Sequence, residues 1–539
     1  MVYIALYWRN IWMEGGIMAD LRVSGMAGIP KGNTSNRSTL FPSPMVGDVY
    51  YNGQLGLLEI YDGTNWVPSS APAGIPTVTG TDVGTSRAYG SGAISLTLVP
   101  GTNGGSPYGY TGTATIGALT YTTGTITSTT PTLLVGDSGT YSLSATAYNG
   151  FGTSPSSPST NVSVTTVPQA PTIGTASTSG ADVTVTWTLG NNGGKNLSAI
   201  TITPYLNGTT AQTSRTAATT SSTSYTFTGA SALNPASTYT FKVKVTNANG
   251  DSLESSASNS ISVPILIEYL VVAGGGGAGS SNGAAGAGAG GMKTGSFYST
   301  SGTTATVTIG SGGSGSSSSS SKGGGGTGSQ FGSITTAGGG GSGSEGSGTT
   351  RQGNNGGSGG GSVRGSYPGG SGTSGEGNDG GQNVNDGAPH YAGGGGGGKG
   401  AAGQNGQASG DGNGGIGATS SITGTSTYYA GGGGAGYYNN GSGQATGGAG
   451  GLGGGAAGGS NPSDGRGRNG STNTGGGAGG HGLSDQPGGN GGSGVVILAI
   501  DSSLSLSSIP GSLTYTSSTA SRSGYRVYTF TAGTGTITV

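Results

Sequence analysis

Apolar and polar residues alternate along much of the first half of the chain, and a period of two is the pattern of a β-strand with one buried face. The clearest stretch alternates four apolar residues with threonine and lysine: Tyr239, Phe241, Val243 and Val245. A second stretch, residues 183–187, places two valines and Trp187 on one face. Proline and glycine punctuate the pattern, so we predict two antiparallel β-sandwiches, at residues 75–166 and 168–265.

Residues 1–74 carry a shorter β pattern. Asp62 and Gly63 lie between two strand-like runs, which is a hairpin signal. Two or three short strands are only marginally stable alone. We therefore interpret this segment as a module that attaches the chain to something larger.

The sequence predicts neither a secretory signal nor a membrane segment. Arg9 and Asn10 interrupt the apolar N-terminus, and translation beginning at Met18 rather than Met1 is left open. The most apolar run, residues 261–273, contains Pro264 and Glu268 and is shorter than the roughly 20 residues that a bilayer requires.

Glycine dominates residues 266–502. Of the 126 glycines, 89 lie between residues 271 and 500. The region opens with Tyr269-Leu270-Val271-Val272-Ala273 and four glycines, and it closes with Val495-Val496-Ile497-Leu498. We predict that these bracketing runs pair as adjacent strands at the base of one domain.

The glycine runs have two interpretations. Low-complexity glycine and serine usually indicate a flexible linker, because glycine loses more backbone entropy on folding than any other residue. A linker seldom has apolar strands at both ends and aromatic clusters inside. We therefore favour a bundle of polyproline-II-like glycine helices, which have three residues per turn and no internal hydrogen bonds. Their N–H and C=O groups must then pair with neighbouring runs.

Residues 503–539 end in two alternating runs, Tyr525 to Phe530 and Gly535 to Val539, with a glycine between them. This pattern predicts a C-terminal β-hairpin. The predicted fold class is mainly β, with tandem sandwiches followed by a glycine-rich bundle between bracketing strands.

Composition argues against an enzyme and against a nucleic-acid binder. Charged residues make up 7% of the chain, against about 25% in ordinary globular domains, and the formal net charge is −1. The chain has no cysteine and only two histidines, His390 and His481. Thiolate sites and most metal or catalytic-triad arrangements are thereby removed. We expect no cofactor, and a structural or binding role.

Two weaker chemical possibilities remain open. Glu376, Asp379 and Asp386 are near enough in sequence to supply the carboxylate pair of a glycosidase, although a glycine-rich loop is a soft platform for that geometry. With Asp411, the same region offers oxygen ligands for calcium but lacks the repeat of a calcium-binding solenoid. We interpret these carboxylates as groups that keep the loops soluble.

Aromatic clusters interrupt the glycine runs and are the best candidates for a binding surface. Tyrosine gives rigid, amphipathic contact area at low entropy cost. In a bundle, these clusters lie where the chain turns; the alternative is that the tyrosines seal the bundle. Arginines near them, including Arg364, suit acidic sugars or phosphates. The candidate contacts are Tyr367, His390, Tyr391, Tyr428, Tyr429, Tyr437, Tyr438, Asn439, Arg466 and Arg468.

The second sandwich resembles a fibronectin type III domain. The resemblance is carried by the run from Tyr239 to Gly250, by the serine-rich strand after it, and by Trp187 at the place of the family's core tryptophan. The first sandwich has a matching tail from Tyr141 to Gly152, but no tryptophan. The strand at that place carries Ile94, Leu96 and Leu98. This resemblance implies a fold and says little about function, since such sandwiches are often spacers.

The glycine-rich region resembles the distal domains of tailed-bacteriophage tail-fibre adhesins. Those families have a Tyr-Leu-Val-Val-Ala-Gly-Gly-Gly-Gly opening, oligoglycine runs separated by variable loops, and a closing Val-Val-Ile strand, all of which occur here. The Tyr-x-Phe-Thr hairpin that the family places before the opening strand comes last in this chain. Residues 47–67 also look like the attachment region of phage fibre and baseplate proteins.

The resemblance implies a virion protein, a tail fibre or tip adhesin that is assembled in the host cytoplasm. Its distal loops would bind a host glycan or outer-membrane protein, and its N-terminal module would contact other virion proteins. A homotrimer fits the same family, whereas nucleic-acid binding and membrane insertion are not expected. The alternatives are a head fibre or capsid-decoration protein, and a bacterial surface or extracellular structural protein.

Overall fold

The structure is a computed structural model of the 539-residue chain. The residues that it describes are 30–32, 34–45, 48–54, 57–61, 63–68, 72–102, 104–229, 232–383, 390–407, 412–439, 446–460, 465–483 and 486–539. Three residues named in the sequence analysis lie outside these ranges: Asp386, Asp411 and Met18, the alternative start of translation. Within the described ranges, no helix combines the length and apolar character needed to cross a membrane.

The N-terminal module is a small four-stranded sheet, in the order β1-β2-β3-β4. Its elements are β1 (Lys31–Gly32), a 3₁₀ turn (Thr34–Asn36), α1 (Arg37–Leu40), β2 (Val49–Asn52), β3 (Leu57–Tyr61) and β4 (Trp66–Pro68). Tyr61 pairs with Trp66 across the β3–β4 turn, so the predicted hairpin is confirmed. The Trp66 ring lies 4.7 Å from that of Phe41 and 5.9 Å from that of the fully buried Tyr50. This aromatic cluster supplies the module's core.

The first sandwich packs a three-stranded sheet, β5-β6-β9, against a five-stranded one, β11-β10-β7-β8 with β12 beside β10. Its strands are β5 (Thr77–Asp82), β6 (Ala93–Val99), β7 (Gly109–Ile116), β8 (Leu119–Thr122), β9 (Thr132–Leu134), β10 (Gly139–Asn149), β11 (Gly152–Thr153) and β12 (Thr160–Val164). Ile94, Leu96 and Leu98 on β6 are buried in the core that both sheets share. They fill the interior without a tryptophan, as the alternation predicts.

The second sandwich has a three-stranded sheet, β13-β14-β18, and a six-stranded sheet in the order β16-β15-β19-β20, with β17 beside β15 and β21 beside β19. Its strands are β13 (Thr172–Ser179), β14 (Asp182–Thr188), β15 (Leu197–Leu206), β16 (Thr210–Ala211), β17 (Arg215–Thr216), β18 (Ser224–Phe227), β19 (Thr238–Asn247), β20 (Gly250–Asp251) and β21 (Ile261–Ser262). Trp187 on β14 is buried. The four alternating apolar residues of β19 are buried as predicted: Tyr239, Phe241, Val243 and Val245.

A serine ladder follows the turn after β19. Every third residue is a serine whose backbone N–H donates to a β19 carbonyl and whose hydroxyl accepts the N–H of the same β19 residue, at 3.0–3.1 Å. The pairs are Ser252 with Val245, Ser255 with Val243, and Ser258 with Phe241. Ser154 and Ser157 make the same bonds to β10 of the first sandwich. Only one residue in three faces the strand, which explains why Leu253 is 82% exposed.

The chain divides into two compact units, and the division falls inside the second sandwich. One unit contains the described residues up to Ala176 together with Thr184–Tyr225 and Thr240–Ser260. The other contains Ser177–Val183, the described part of Thr226–Tyr239, and the described part of Ile261–Val539.

The glycine-rich domain stands on two sheets, in the orders β23-β22-β31-β33-β32 and β26-β25-β24-β34. Its strands are β22 (Ile265–Val272), β23 (Met292–Ser299), β24 (Thr304–Thr308), β25 (Ser329–Phe331), β26 (Ile334–Thr336), β27 (His390–Ala392), β28 (Ala418–Ser420), β29 (Thr427–Tyr429), β30 (Tyr437–Asn439), β31 (Val495–Asp501), β32 (Thr514–Ser518), β33 (Tyr525–Ala532) and β34 (Thr534–Thr538), and a 3₁₀ turn spans Gly348–Arg351. The predicted bracket is confirmed, because β22 and β31 are antiparallel neighbours with Val272 opposite Val495.

Both faces of β31 are buried, which explains its unbroken apolar sequence. Val496, Leu498 and Ile500 join the core that draws on both base sheets. Val495, Ile497 and Ala499 point to the opposite face and pack with residues of the β28–β29 hairpin.

Residues 503–539 contain a hairpin, β32–β33, but the two runs predicted to form it do not pair with each other. β33 pairs with β31 and β32 in one sheet, whereas β34 pairs with β24 in the other. Gly533, with φ +97°, lies between them and turns the chain from one sheet to the other. Residues 503–539 therefore complete the base of the glycine-rich domain.

The glycine runs form a bundle with a hydrogen-bond period of three. Successive N–H groups of the first run donate to three different neighbours: Gly274 to Thr327, Gly275 to Gly492, Gly276 to Gly288, Gly277 to Gly324 and Ala278 to Gly489. Every third N–H thus returns to the same neighbouring run, as a helix with three residues per turn requires. The predicted fold class is confirmed: the chain is mainly β, with tandem sandwiches followed by a polyglycine-II-like bundle between bracketing strands.

Close packing of the runs requires glycine at most positions. A Cβ on Gly433, for example, would overlap the carbonyl oxygen of Ala478. Alanine is accommodated where methyl groups meet, as in the buried cluster of Ala278, Ala287 and Ala478.

The bundle has two ends. At the base, beside the sheets, Gly291 N–H donates to Ala337 and Gly494 N–H donates to Gly310. At the opposite end, which we call the tip, the runs turn at residues 281–283, 317–321, 345–350 and 364–366. The run 273–281 spans roughly 28 Å at about 3.1 Å per residue, so the tip lies about that far from the base.

Candidate binding surface at the tip of the glycine bundle

Two of the predicted aromatic clusters meet at the tip. β27 and β30 pair antiparallel, with His390 opposite Asn439 and Tyr391 opposite Tyr438. The Tyr391 and Tyr438 rings stack, with centroids 6.0 Å apart and planes at 26°. Both rings are half-buried. Residues that are 47 positions apart in the sequence thus form one aromatic surface.

Arg364 covers the Tyr391 ring. Its guanidinium carbon lies 4.1 Å from the ring centroid, and the same guanidinium forms an ion pair with Glu345. Arg364 has φ +38°, and its buried Nε has no hydrogen-bond partner. A non-glycine residue with this left-handed backbone conformation costs on the order of 1–3 kcal/mol in strain. The ion pair with Glu345 and the contact with the Tyr391 ring offset that cost.

This geometry changes the role expected of Arg364. Because Glu345 neutralises its charge and Tyr391 occupies its face, Arg364 orders the aromatic pair instead of presenting a free cation to acidic sugars. Glu345 was not singled out in the sequence. The sequence signal that could have identified it is its charge, because few residues in the glycine-rich region are charged.

Tyr367 belongs to the same tip. Its carbonyl accepts a hydrogen bond from the Ser362 hydroxyl at 2.6 Å. Its ring lies beside the turn at Gly365, which has φ +72°. Tyr367 is half-buried, so part of the ring faces solvent.

The predicted contacts Tyr429 and Tyr437 are buried, at 7% and 3% exposure, and their roles are corrected to packing. Tyr429 packs with Val495 and Ile497 on the base sheet, and burial raises the pKa of its phenol. Tyr437 lies inside the bundle, where its N–H donates to the Gly459 carbonyl. Their burial favours the packing alternative, with Tyr429 against the base sheet and Tyr437 inside the bundle.

Tyr428 lies away from the other candidates. It is 40% exposed on the β28–β29 hairpin, whose register pairs it with Thr419 at the base of the domain. The aromatic clusters are therefore divided between the two ends of the bundle.

Arg466 and Arg468 are exposed on the run that begins beside the tip. Gly465 of this run accepts the N–H of Gly482, and its carbonyl lies 2.6 Å from Nδ1 of the fully buried His481. His481 therefore holds the turn between two runs. Its burial gives it a structural role, and it faces no described carboxylate at hydrogen-bond distance.

Glu376 and Asp379, the two described carboxylates of those weighed for catalysis, are occupied by structural contacts. Glu376 is buried, pairs with Lys293 at 2.8 Å, and accepts the Ala337 N–H at 2.7 Å. Asp379 accepts the Gly372 N–H at 2.8 Å. In the described part of the chain, no three His, Asp or Glu side chains converge as metal ligands do. The arrangement at the tip suits binding through aromatic faces and edges.

Residues 254–501 match the model of a family described as a glycine-rich domain. No curated relative matches the sequence.

Two solved structures are similar to part of the chain. The FN1-FN3 domains of chicken CNTN1 share 17% identity, over 38% of this chain and 75% of that one, with a TM-score of 0.20. A domain segment of titin shares 21% identity, over 38% of this chain and 73% of that one, also with a TM-score of 0.20.

Proposed function

We propose that this protein is a bacteriophage virion appendage, a tail fibre or tip adhesin, and that it binds the host cell surface through the tip of the glycine bundle. The observation that carries the proposal is the Tyr391–Tyr438 pair. These two half-buried rings are ordered by Arg364 and lie at the end of a hydrogen-bonded bundle. A rigid aromatic surface loses little entropy when it binds.

The same proposal assigns a role to each of the other domains. The N-terminal module attaches the protein to other virion proteins, and the two sandwiches act as spacers. The motifs that resemble phage fibre proteins support the virion assignment. Several copies per particle, such as a trimer, would turn many weak contacts into strong attachment through avidity.

The partner on the cell is a surface glycan or an outer-membrane protein. Stacked tyrosine rings bind sugar faces and protein side chains equally well, because each presents an apolar face and a polar hydroxyl group. The exposed Arg466 and Arg468 add positive charge on the run beside the tip, which favours partners that carry carboxylate or phosphate groups.

Binding of the full-length chain to host cells tests the tip. We expect the double variant Tyr391→Ala/Tyr438→Ala to lose at least about tenfold in affinity, the effect of removing an aromatic anchor worth ~1.4 kcal/mol or more. Tyr428→Ala removes a more exposed tyrosine at the base of the same domain and is the control. Unchanged binding by a folded double variant would exclude the tip as the contact surface.

Immunogold electron microscopy of virions, with antibody against residues 266–539, tests the location independently. Gold at the free ends of tail fibres supports the proposal. Gold over the head favours a head fibre or capsid-decoration protein. Labelled uninfected cells beside unlabelled particles would place the protein on the bacterial surface instead.

A further inference from the structure

The link between the two sandwiches is buried on both sides. β12 ends at Val164, and the next three residues, 165–167, lead towards β13. Thr165 and Val167 are 8% and 9% exposed, and Thr166 is fully buried. Linkers between tandem domains are usually exposed and allow relative motion. This one lacks that exposure.

The N–H groups of the linker donate to the two sandwiches in alternation. Thr165 N–H donates to the Asp82 carboxylate of the first sandwich at 3.0 Å. Thr166 N–H donates to the Gly193 carbonyl of the second sandwich at 2.9 Å. Val167 N–H returns to the first sandwich, at the Arg87 carbonyl, at 2.9 Å. Any rotation about the linker therefore breaks at least one buried hydrogen bond.

Two side-chain amides of the second sandwich close the junction. The Asn247 amide donates to the carbonyls of Thr166, at 2.9 Å, and Asn192, at 2.8 Å. The Asn249 amide donates to the Thr165 hydroxyl, at 2.7 Å, and also to the Thr166 carbonyl, at 3.1 Å. Asn247 and Asn249 are 3% and 6% exposed, so neither amide has water as an alternative partner.

The first sandwich also contacts the turn that carries Asn249 directly. Ser86 N–H donates to the Asn249 carbonyl at 2.8 Å. A Cβ on Gly84 would overlap the Thr165 hydroxyl, so the loop that follows β5 approaches the linker as closely as backbone permits. The linker, Asn247 and Asn249 all belong to the same compact unit as the first sandwich.

We propose that Asn247 and Asn249 form a lock that joins the first sandwich and the linker-facing end of the second into one rigid body. Removing either amide leaves the buried Thr166 carbonyl with fewer donors and exposes the linker to water. The functional consequence is a spacer with a fixed direction. A stiff spacer positions whatever it carries, whereas a hinged one only sets a maximum reach.

Pulsed electron–electron spin resonance on the full chain tests the lock. The sequence has no cysteine, so the exposed pair Thr120→Cys and Thr209→Cys places one label on each sandwich without background. We expect a narrow, single-peaked distance distribution in this parent. Adding Asn247→Ala/Asn249→Ala should widen the distribution about twofold or more, the behaviour of ordinary tandem domains.

Asn149→Ala is the matched control, because Asn149 occupies the corresponding turn of the first sandwich. It lies at the opposite end of β10 from Gly139, which pairs with Val164 beside the linker. It should leave the distribution unchanged. A broad distribution in the parent overturns the proposal, as does a folded lock variant that stays as narrow as the parent. If the double variant fails to fold, the distance distributions of the parent and of the single variant Asn249→Ala are compared instead. A wider distribution in Asn249→Ala supports the lock, and an equally narrow one overturns it.

Discussion

Tyr391 and Tyr438 lie opposite each other on β27 and β30, and their rings stack. The Arg364 guanidinium packs over the Tyr391 ring. Their neighbour Tyr437, one residue from Tyr438, points into the bundle. Adjacent residues of a strand face opposite sides, so two consecutive tyrosines have opposite roles.

Replacing these two neighbours should separate stability from binding. Tyr437→Ala leaves a cavity in the bundle and should lower the free energy of unfolding by about 3–5 kcal/mol. Tyr438→Ala removes a half-buried ring at the tip and should cost about 1 kcal/mol or less. Thermal or denaturant unfolding of the purified chains measures both. Equal losses would mean that Tyr438 is as much a packing residue as Tyr437.

Gly433→Ala tests the bundle itself. The added methyl group would overlap the Ala478 carbonyl, and both partners are backbone that is held by neighbouring runs. We expect a loss of about 3 kcal/mol or more, at or beyond the upper end of ordinary overpacking.

Gly511→Ala is the matched substitution in the same domain, because nothing lies within 4 Å of its Cβ position. It should be neutral, or stabilise by up to about 1 kcal/mol through the unfolded state. Calorimetry on the two variants measures the contrast. A Gly433→Ala protein as stable as the parent would contradict a bundle packed at backbone distance.

Ser255→Ala tests the serine ladder. The variant leaves the buried Val243 N–H without its acceptor, which should cost about 1–3 kcal/mol. Ser256→Ala, at the exposed neighbour, should change stability by less than about 0.5 kcal/mol. Hydrogen exchange at Val243 gives a local measurement, since that amide alone should exchange faster. Unchanged exchange there would show that the hydroxyl is dispensable.

The Glu268–Arg522 ion pair predicts a pH dependence of stability. Two hydrogen bonds from Arg522, at 2.6 and 3.0 Å, hold the pKa of Glu268 below its usual value. A carboxyl group with a lowered folded pKa stabilises the fold fully above its unfolded pKa, about 4.3. That stabilisation is lost as the pH falls from there through the folded pKa.

Glu268→Gln should therefore lower stability at pH 7 by about 1.5–3 kcal/mol, the range for hydrogen bonds to charged groups. The difference from the parent should shrink as the pH falls below about 4.3. Denaturant titrations at pH 7 and at pH 3 measure it. A gap that stays constant over this range would exclude the ion pair as its source.

Local patterns in the sequence predicted the strands, and long-range pairings set the remainder. The sequence predicts features that depend on a period of two or on a turn residue. These are the alternation in β19, the hairpin at Asp62-Gly63 and the pairing of β22 with β31. The path of β33 and β34 was not readable. Gly533 looks like a hairpin turn in sequence, and only the presence of two sheets makes it a crossover between them.

The candidate site divides in the same way. Tyrosine clusters beside glycine runs indicated the tip residues Tyr391 and Tyr438, but the sequence could not show which tyrosine of each adjacent pair faces inwards. That choice depends on the phase of a short strand, which packing against neighbouring runs decides. Arg364 was noted for its charge, and the contacts that give it another role come from Glu345, at the end of a neighbouring run, and from the Tyr391 ring.

The period of three in the glycine runs constrains how such a gene can change. Deleting one codon within a run rotates every later residue of that run by a third of a turn, so each N–H meets the wrong neighbour. Deleting three codons restores the phase and only shortens the run. Changes at the turns of the tip have no such penalty, because no run passes through them. Selection can thus diversify the tip rapidly on a scaffold whose own length changes only in triplets of residues.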